Sequence, residues 1–213
     1  MAFVSELFDT LRDQLGDPTD TQVPFLTKRL YLNRGIQRMW PHVWKTATLN
    51  IAVTTGIYEY SLSTDASDGY VLSVEINTIA DSTHYYRFED YDILPGDEDL
   101  GSKFILSFSP TTGQTVRVRY AMPVPVIASA SYASSQSELW DGPDRAMSIP
   151  PYYALSLIAA RKVDDRQDTL RYSTTQASNG VQDSDIMAAS QMWMGQFELE
   201  LAAFERPLPI AKD

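Results

Sequence analysis

The sequence predicts an α+β protein: a helical bundle from N- and C-terminal helix pairs, with an inserted antiparallel β-sandwich or barrel-like module. Three observations carry this. Apolar residues recur at helical spacing near both ends of the chain, whereas from Lys45 to about Met122 the period falls to two. The apolar arc of the second helix also covers about half its circumference, more than a lone helix pair can hide. The two ends are therefore expected to pack together. The expected division is residues 1–44 for the first helices, 45–122 for the β-module, 123–147 for a crossing loop and 148–213 for the last helices and an extended tail.

Val4, Leu7, Phe8, Leu11 and Leu15 line one face of the first helix, and Gly16, Asp17 and Pro18 stop it. The second helix is expected to start near Thr21, as N-cap, with Pro24 in the first turn, and to end at Trp40 before Pro41. Leu26, Leu30 and Trp40 occupy one flank of it, and Phe25, Leu32, Ile36 and Met39 the next, so cover is required from two sides. Asn33 falls inside that arc. A buried amide without partners costs about 1–3 kcal/mol, so Asn33 is expected to bond to a neighbouring helix or backbone.

Ala47, Leu49, Ile51 and Val53 alternate with polar or small residues as a half-buried strand does, and Thr55-Gly56 turns the chain into Ile57–Leu62. Tyr70, Leu72, Val74 and Ile76 alternate again, HYYRF makes a short strand, and EDYDILP is expected as one helical turn or a loop. KFILSFSP and TVRVRYAMP flank the turn Thr111-Thr112-Gly113, as a hairpin in which Phe104, Leu106 and Phe108 face Val116, Val118 and Tyr120. About six strands at this spacing imply a sandwich or open barrel.

Residues 123–147 are rich in Pro, Ser and Ala without a period. Ser148 then caps a helix whose first turn holds Pro150 and Pro151 and whose buried face is expected to include Tyr153, Leu157 and Ala160. The polar stretch 166–182 is compatible with a frayed helix end, a hairpin or a loop. Asp183 or Ser184 caps a last helix with Ile186, Trp193, Phe197, Leu201 and Phe204 at helical spacing up to Pro207.

The 213 residues include no cysteine, which excludes disulfides, thiolate nucleophiles and cysteine metal sites. No run approaches the ~18 apolar residues of a membrane span, and the first 16 residues lack the basic-then-apolar order of a leader, so no membrane association and a cytosolic, unprocessed chain are expected. A net charge of -11 argues against a surface that grips nucleic-acid phosphates. Arg29, Arg34 and Arg38 do line a helix flank beside Lys28, but in so acidic a chain pairing between subunits accounts for them better.

The inventory for catalysis is thin. His42, in WPHVW, suits packing or a cap to free carbonyls, and His84 precedes a tyrosine pair in a strand or turn. Asp97, Glu98 and Asp99 lack the ligand count and glycine placement of a calcium loop, and Glu59, Glu75, Asp90 and Asp92 could form a glycosidase pair, although spacing in sequence does not show the separation such a pair needs. No phosphate-binding loop, GxGxxG or GxSxG occurs. No catalytic residue, cofactor or metal is therefore expected. Trp40 and Trp44 make a core corner, whereas Trp140, in the polar stretch SELWDGPD, is expected to anchor the loop to its own bundle or to a neighbouring subunit.

NRGIQRMWPHVW at the end of the second helix, the strand running into TTGIYEYSL, the closing strand VRVRYAMP and the return through SIPPYYALSLIAARK together resemble the phage head-tail connector, or adaptor, proteins. The resemblance runs in order from about residue 3 to 205, leaving 166–182 and the tail without a counterpart. It implies a structural virion protein made in the host cytoplasm and placed in the neck between capsid and tail. It implies a homo-oligomeric ring of twelve copies beneath the portal protein, extending the DNA channel and meeting a neck or tail protein, with DNA passing through without specific binding. It further implies that the end of the chain, Arg206, Pro207, Leu208, Pro209, Ile210, Ala211, Lys212 and Asp213, docks on the portal. The alternatives are another neck, tail-completion or minor head protein, a carbohydrate-binding module using Tyr58, Tyr60, Tyr85 and Tyr86, and a glycosidase or esterase.

Overall fold

The computed structural model describes residues 2–62, 70–78, 81–94, 103–172 and 183–204, with the side chains of 81, 82, 163–172 and 183–185 outside that description. The described residues divide into two units, one from 2–43 and 124–204, the other from 44–123. The first is helical and the second is a pair of antiparallel sheets, an α+β protein.

The helical unit holds α1 (Ser5–Leu15), α2 (Phe25–Met39), the single turn α3 (Tyr132–Ser135), a 3-10 turn at Asp144–Ala146, α4 (Ile149–Tyr172) and α5 (Asp183–Ala202). Val4, Leu7, Phe8 and Leu11 are closed off from solvent on the predicted face of α1, each burial worth about 1.5–3 kcal/mol. A left-handed Gly16 ends the helix, and the Asp17 N–H returns to the Arg12 carbonyl at 3.0 Å. One apolar core joins these side chains to Leu32, Ile36 and Met39 of α2, Ile149, Ala154, Leu155 and Ile158 of α4, and Phe197 of α5. Segments from both ends of the chain thus share a single interior.

Three details of this unit differ from expectation. Thr21 does not cap α2, which starts at Phe25 after Pro24. The Thr21 N–H and hydroxyl bond instead to Asp17 Oδ1 at 2.9 and 3.2 Å, because the carboxylate organises the whole turn before the helix. In α4, Pro150 and Pro151 do fill the first turn, but the deepest positions are Ala154, Leu155 and Ile158; Tyr153 and Leu157 pack at the margin, and Ala160 is half-buried. The shift follows from α5, whose Trp193 and Phe197 rings lie against Tyr152 and Tyr153 at 5.8 and 5.1 Å. Finally, α4 runs on to Tyr172, so the first part of the polar stretch is helical, while 173–182 lies outside the described residues.

The sheet unit has seven described strands: β1 (Lys45–Ala52), β2 (Glu59–Ser61), β3 (Tyr70–Thr78), β4 (Asp81–Arg87), β5 (Tyr91–Leu94), β6 (Lys103–Leu106) and β7 (Thr115–Met122). They form a four-stranded sheet in the order β1-β7-β3-β4 and a three-stranded sheet in the order β2-β6-β5, both antiparallel. The two share one core, with Val74, Val116, Val118 and Tyr120 from the larger sheet and Tyr91, Phe104 and Leu106 from the smaller. This is the sandwich alternative; among the described strands no sheet closes on itself.

EDYDILP supplies strand β5, not a helical turn. Pairing from Tyr91↔Leu106 to Leu94↔Lys103 satisfies backbone groups that a lone turn would leave open, and Tyr91 stacks on Phe104 at 5.4 Å. The expected hairpin is also corrected: the turn at Thr111–Gly113 exists, but β6 and β7 lie in different sheets. The Thr112 and Thr55 side chains and amides clamp this turn to the one after β1, with N–H to hydroxyl distances of 3.0 and 2.9 Å. In β3 a register shift between Val71 and Ser73 brings Val71, paired with Tyr120, onto the face of Val74 in place of Leu72, while Ile76, paired with Val116, packs on that core as expected.

Candidate interaction surface

α2 carries the most legible surface of the helical unit. Its inward face holds Leu32, Ile36 and Met39, but Leu26 and Leu30 are 56 % and 50 % exposed, so the expected cover from a second side is missing within the described chain. Arg34, Gln37 and Arg38 continue the same open side toward the C-terminal end. Lys28 does not belong to that flank. Its side chain is fully buried, with Nζ 3.0 Å from Asp17 Oδ2 and 2.7 Å from Asp20 Oδ1. Arg12 completes the cluster through Nη2 to Asp20 Oδ2 at 2.6 Å.

This cluster is structural. Burial pushes the Asp17 carboxyl up, but the amides of Val23, Gln22 and Thr21 and the Lys28 ammonium outweigh it and hold the group far below the usual carboxylate range. The Asp20 carboxyl is held low by its bond to Arg12 and by Lys28. Asp20 takes a left-handed backbone, φ +56°, which aspartate tolerates and which aims its oxygens between the two cations. Neither Lys28 nor Asp17 was distinguishable by sequence: a lysine among arginines at helical spacing gives no sign that it turns inward.

The crossing loop is ordered and seals this unit. Asn33 Nδ2 donates to the Ile127 carbonyl at 3.1 Å and its Oδ1 accepts the Ile127 N–H at 2.8 Å, as the inward amide requires. Arg29 donates to the carbonyls of Ala128 and Ser129, while the Glu138 carboxylate accepts both their amides at 2.9 Å and the Ser129 hydroxyl. Trp140 is 7 % exposed, belongs to the core of its own helical unit, and donates from Nε1 to the Pro143 carbonyl at 3.1 Å. Of the two destinations expected for Trp140, its own unit is the one occupied.

Between α2 and α4 lies a shallow cleft of about 180 Å³, bordered by Val23, Thr27, Tyr31, Ile158, Arg161 and Lys162. A second open face belongs to α5. Opposite Trp193, Phe197 and Leu201, the exposed residues Ala188, Met192, Gly195, Leu199 and Ala202 recur at spacings of four and three, with Met192 58 % and Leu199 66 % exposed. This helix is therefore apolar on both sides. The signal was present in the sequence, but the stronger aromatic series on the other face masked it.

Of the carboxylates weighed for chemistry, Glu59 and Asp92 flank Ile105 on one face of the smaller sheet, whereas Glu75 lies in the larger sheet. Glu75 pairs with Arg117 and Arg119 at 3.7 and 3.4 Å, and Glu59 with Lys103 at 3.1 Å. His42 is half-buried, and exposed His84 lies 3.2 Å from the Thr83 hydroxyl. Among the described residues no three His, Asp or Glu side chains converge as metal ligands do. Asp97, Glu98 and Asp99 lie outside the described residues, as do Arg206, Pro207, Leu208, Pro209, Ile210, Ala211, Lys212 and Asp213. Of the tyrosines, Tyr85 and Tyr86 are neighbours in β4 and so point to opposite faces. Arg117 covers the Tyr85 ring at 3.5 Å, and the Tyr60 hydroxyl donates to the Ile57 carbonyl at 2.8 Å. The four do not make one aromatic platform. Among the described residues no helix is long and apolar enough to cross a membrane. Comparison with protein-family models and with curated proteins finds no match.

Proposed function

We propose that this chain is a non-catalytic structural subunit of a phage neck, a head-to-tail adaptor that assembles into a ring joining the portal protein to a neck or tail protein. The observation that carries this reading is the helical unit built from both ends of the chain, which leaves apolar faces on α2 and α5 open. A monomer gains nothing from such faces, whereas a subunit that meets copies of itself buries them. The β-unit, held between the two halves of the helical unit in sequence, offers a separate surface for a further component. A net charge of -11 per copy suits a channel wall, since repulsion of DNA keeps a passing duplex from adhering. Only groups within about 8 Å of the duplex at physiological salt contribute. The twelve-fold count and the portal rest on the resemblance of the helix-end, strand and return motifs.

Electron microscopy of the purified chain mixed with candidate portals tests the proposal. Rings of one uniform diameter, seated coaxially on the portal, are expected. A chain that stays monomeric at high concentration and adds no density to any portal would show the reading to be wrong.

A further inference from the structure

The two helices that carry the open faces differ in charge, and on the open side itself α2 presents Arg34 and Arg38 and α5 presents Glu198. α2 contains Lys28, Arg29, Arg34 and Arg38 and no acidic residue. α5 contains Asp183, Asp185, Glu198 and Glu200 and no basic one. With Lys28 internally neutralised and Arg29 held by loop carbonyls, the open side of α2 presents Leu26 and Leu30 followed by Arg34 and Arg38. Among the described residues neither of those last two arginines has an acidic partner. The open side of α5 presents Met192, Gly195 and Leu199, with Glu198 beside them. Nothing lies within 4 Å of where a Gly195 side chain would stand, so a helix can approach closely there.

We infer that the exposed face of α2 on one copy binds the exposed face of α5 on the next, and that this heterologous contact is the one that closes the assembly. It rests on the self-assembling reading given above, and names the surfaces that reading requires. At 1.5 Å per residue the 15 residues of α2 and the 20 of α5 span about 22 and 30 Å, so the helices can run together for roughly four turns. Leu30 and Met192 stand near the middle of their helices and meet whichever direction the second helix takes. A contact of α2 with α2 would set arginines against arginines, and one of α5 with α5 carboxylates against carboxylates. The unlike pairing is the one in which charge and apolar surface both match. α4 packs on both α2 and α5, so each copy offers one face of each kind, which is what a contact running head to tail from copy to copy requires; a two-fold pair using both faces at once would give a doubly linked dimer in place of the ladder expected below.

The cysteine-free chain gives a clean test. Leu30→Cys and Met192→Cys are made separately and together, and oxidised in concentrated solution. The two single variants mixed should give a disulfide-linked dimer, neither alone should give one, and the double variant should give a ladder of multimers. Homodimers of Met192→Cys alone, or no cross-link in the mixture, would overturn the assignment. A second test swaps charges. Arg34→Glu/Arg38→Glu and Glu198→Lys should each weaken assembly by at least tenfold on their own, and the two mixed should assemble as alternating copies. Failure of the mixture to recover would also overturn it. A ladder without portal binding would leave this contact standing and remove the adaptor reading. Rings on the portal without the cross-link would do the reverse.

Discussion

Lys28 Nζ lies 3.0 Å from Asp17 Oδ2 at a place where both side chains are cut off from solvent. The ammonium also reaches Asp20 Oδ1 and the Asp17 carbonyl, so all three of its donors are used. Removing one partner strands the other. Lys28→Met, which keeps most of the stem volume, is expected to cost about 3–5 kcal/mol in urea unfolding, because Asp17 remains buried without its counter-charge. The double variant Lys28→Met/Asp17→Asn should lose less than the two single losses added. Additive losses would mean that the pair is not coupled.

The same cluster sets an acid limit. Asp17 and Asp20 are both held below their ordinary value in the folded chain, so their contribution is complete above the ~3.9 of an unfolded aspartate and is lost as pH falls below it. The urea midpoint should therefore drop between about pH 5 and 2.5. In Asp17→Asn the midpoint should start lower at pH 7 and fall less steeply over that range. A slope equal to that of the unmodified chain would assign the acid sensitivity to other carboxylates.

What the sequence could reveal of all this depends on range. The α1 face, the alternation of β1 and the proline-led start of α4 were legible because each is decided by residues within a turn or two of one another. Even the inward amide of Asn33 could be foreseen, although its partner, 94 residues away, could not. β5 was missed because its four residues become a strand only beside β6, and the hairpin was misassigned because a turn fixes a reversal of the chain without fixing which sheet receives it. Lys28 illustrates the same limit for the surface. Its burial depends on a turn eight to eleven residues earlier delivering two carboxylates to one point.

Gly35 tests how closely α2 and α4 are set. A side-chain carbon there would stand 3.0 Å from the Pro150 carbonyl oxygen and 3.2 Å from Pro150 Cα and Tyr153 Cβ, contacts that yield only if the helices part. Gly35→Ala is expected to destabilise by about 1–3 kcal/mol despite its better helix propensity. Gly195→Ala, whose new carbon meets nothing within 4 Å, should stabilise the isolated chain by roughly 0.5–1 kcal/mol. Thermal melts of the two should shift in opposite directions. Equal shifts would mean that the α2–α4 approach is looser than described.

The resemblance assigns residues 206–213 to portal binding, and in the sequence Pro207 and Pro209 break the helical pattern there. Deleting 206–213 should leave the melting temperature and the Leu30–Met192 cross-link unchanged while abolishing capture by portal rings in sedimentation. Retained capture would place the portal-binding surface elsewhere.

Asn33 joins the fold to the proposed contact. Its amide satisfies both backbone groups of Ile127, one turn along α2 from Leu30, and Val126 next to it is exposed. Asn33→Ala leaves that N–H and C=O without partners, at a cost of about 1–3 kcal/mol if they stay buried. The loop relieves that cost by lifting toward water, so the loss should appear locally. The Ile127 amide should lose hydrogen-exchange protection while the amides of α1 and α4 keep theirs. Assembly should weaken with it, because a lifted loop alters the border of the face that carries Leu30. Loss of protection across the whole helical unit would mean instead that Asn33 supports the core as a whole, and assembly measured on this variant would then report stability and not the interface.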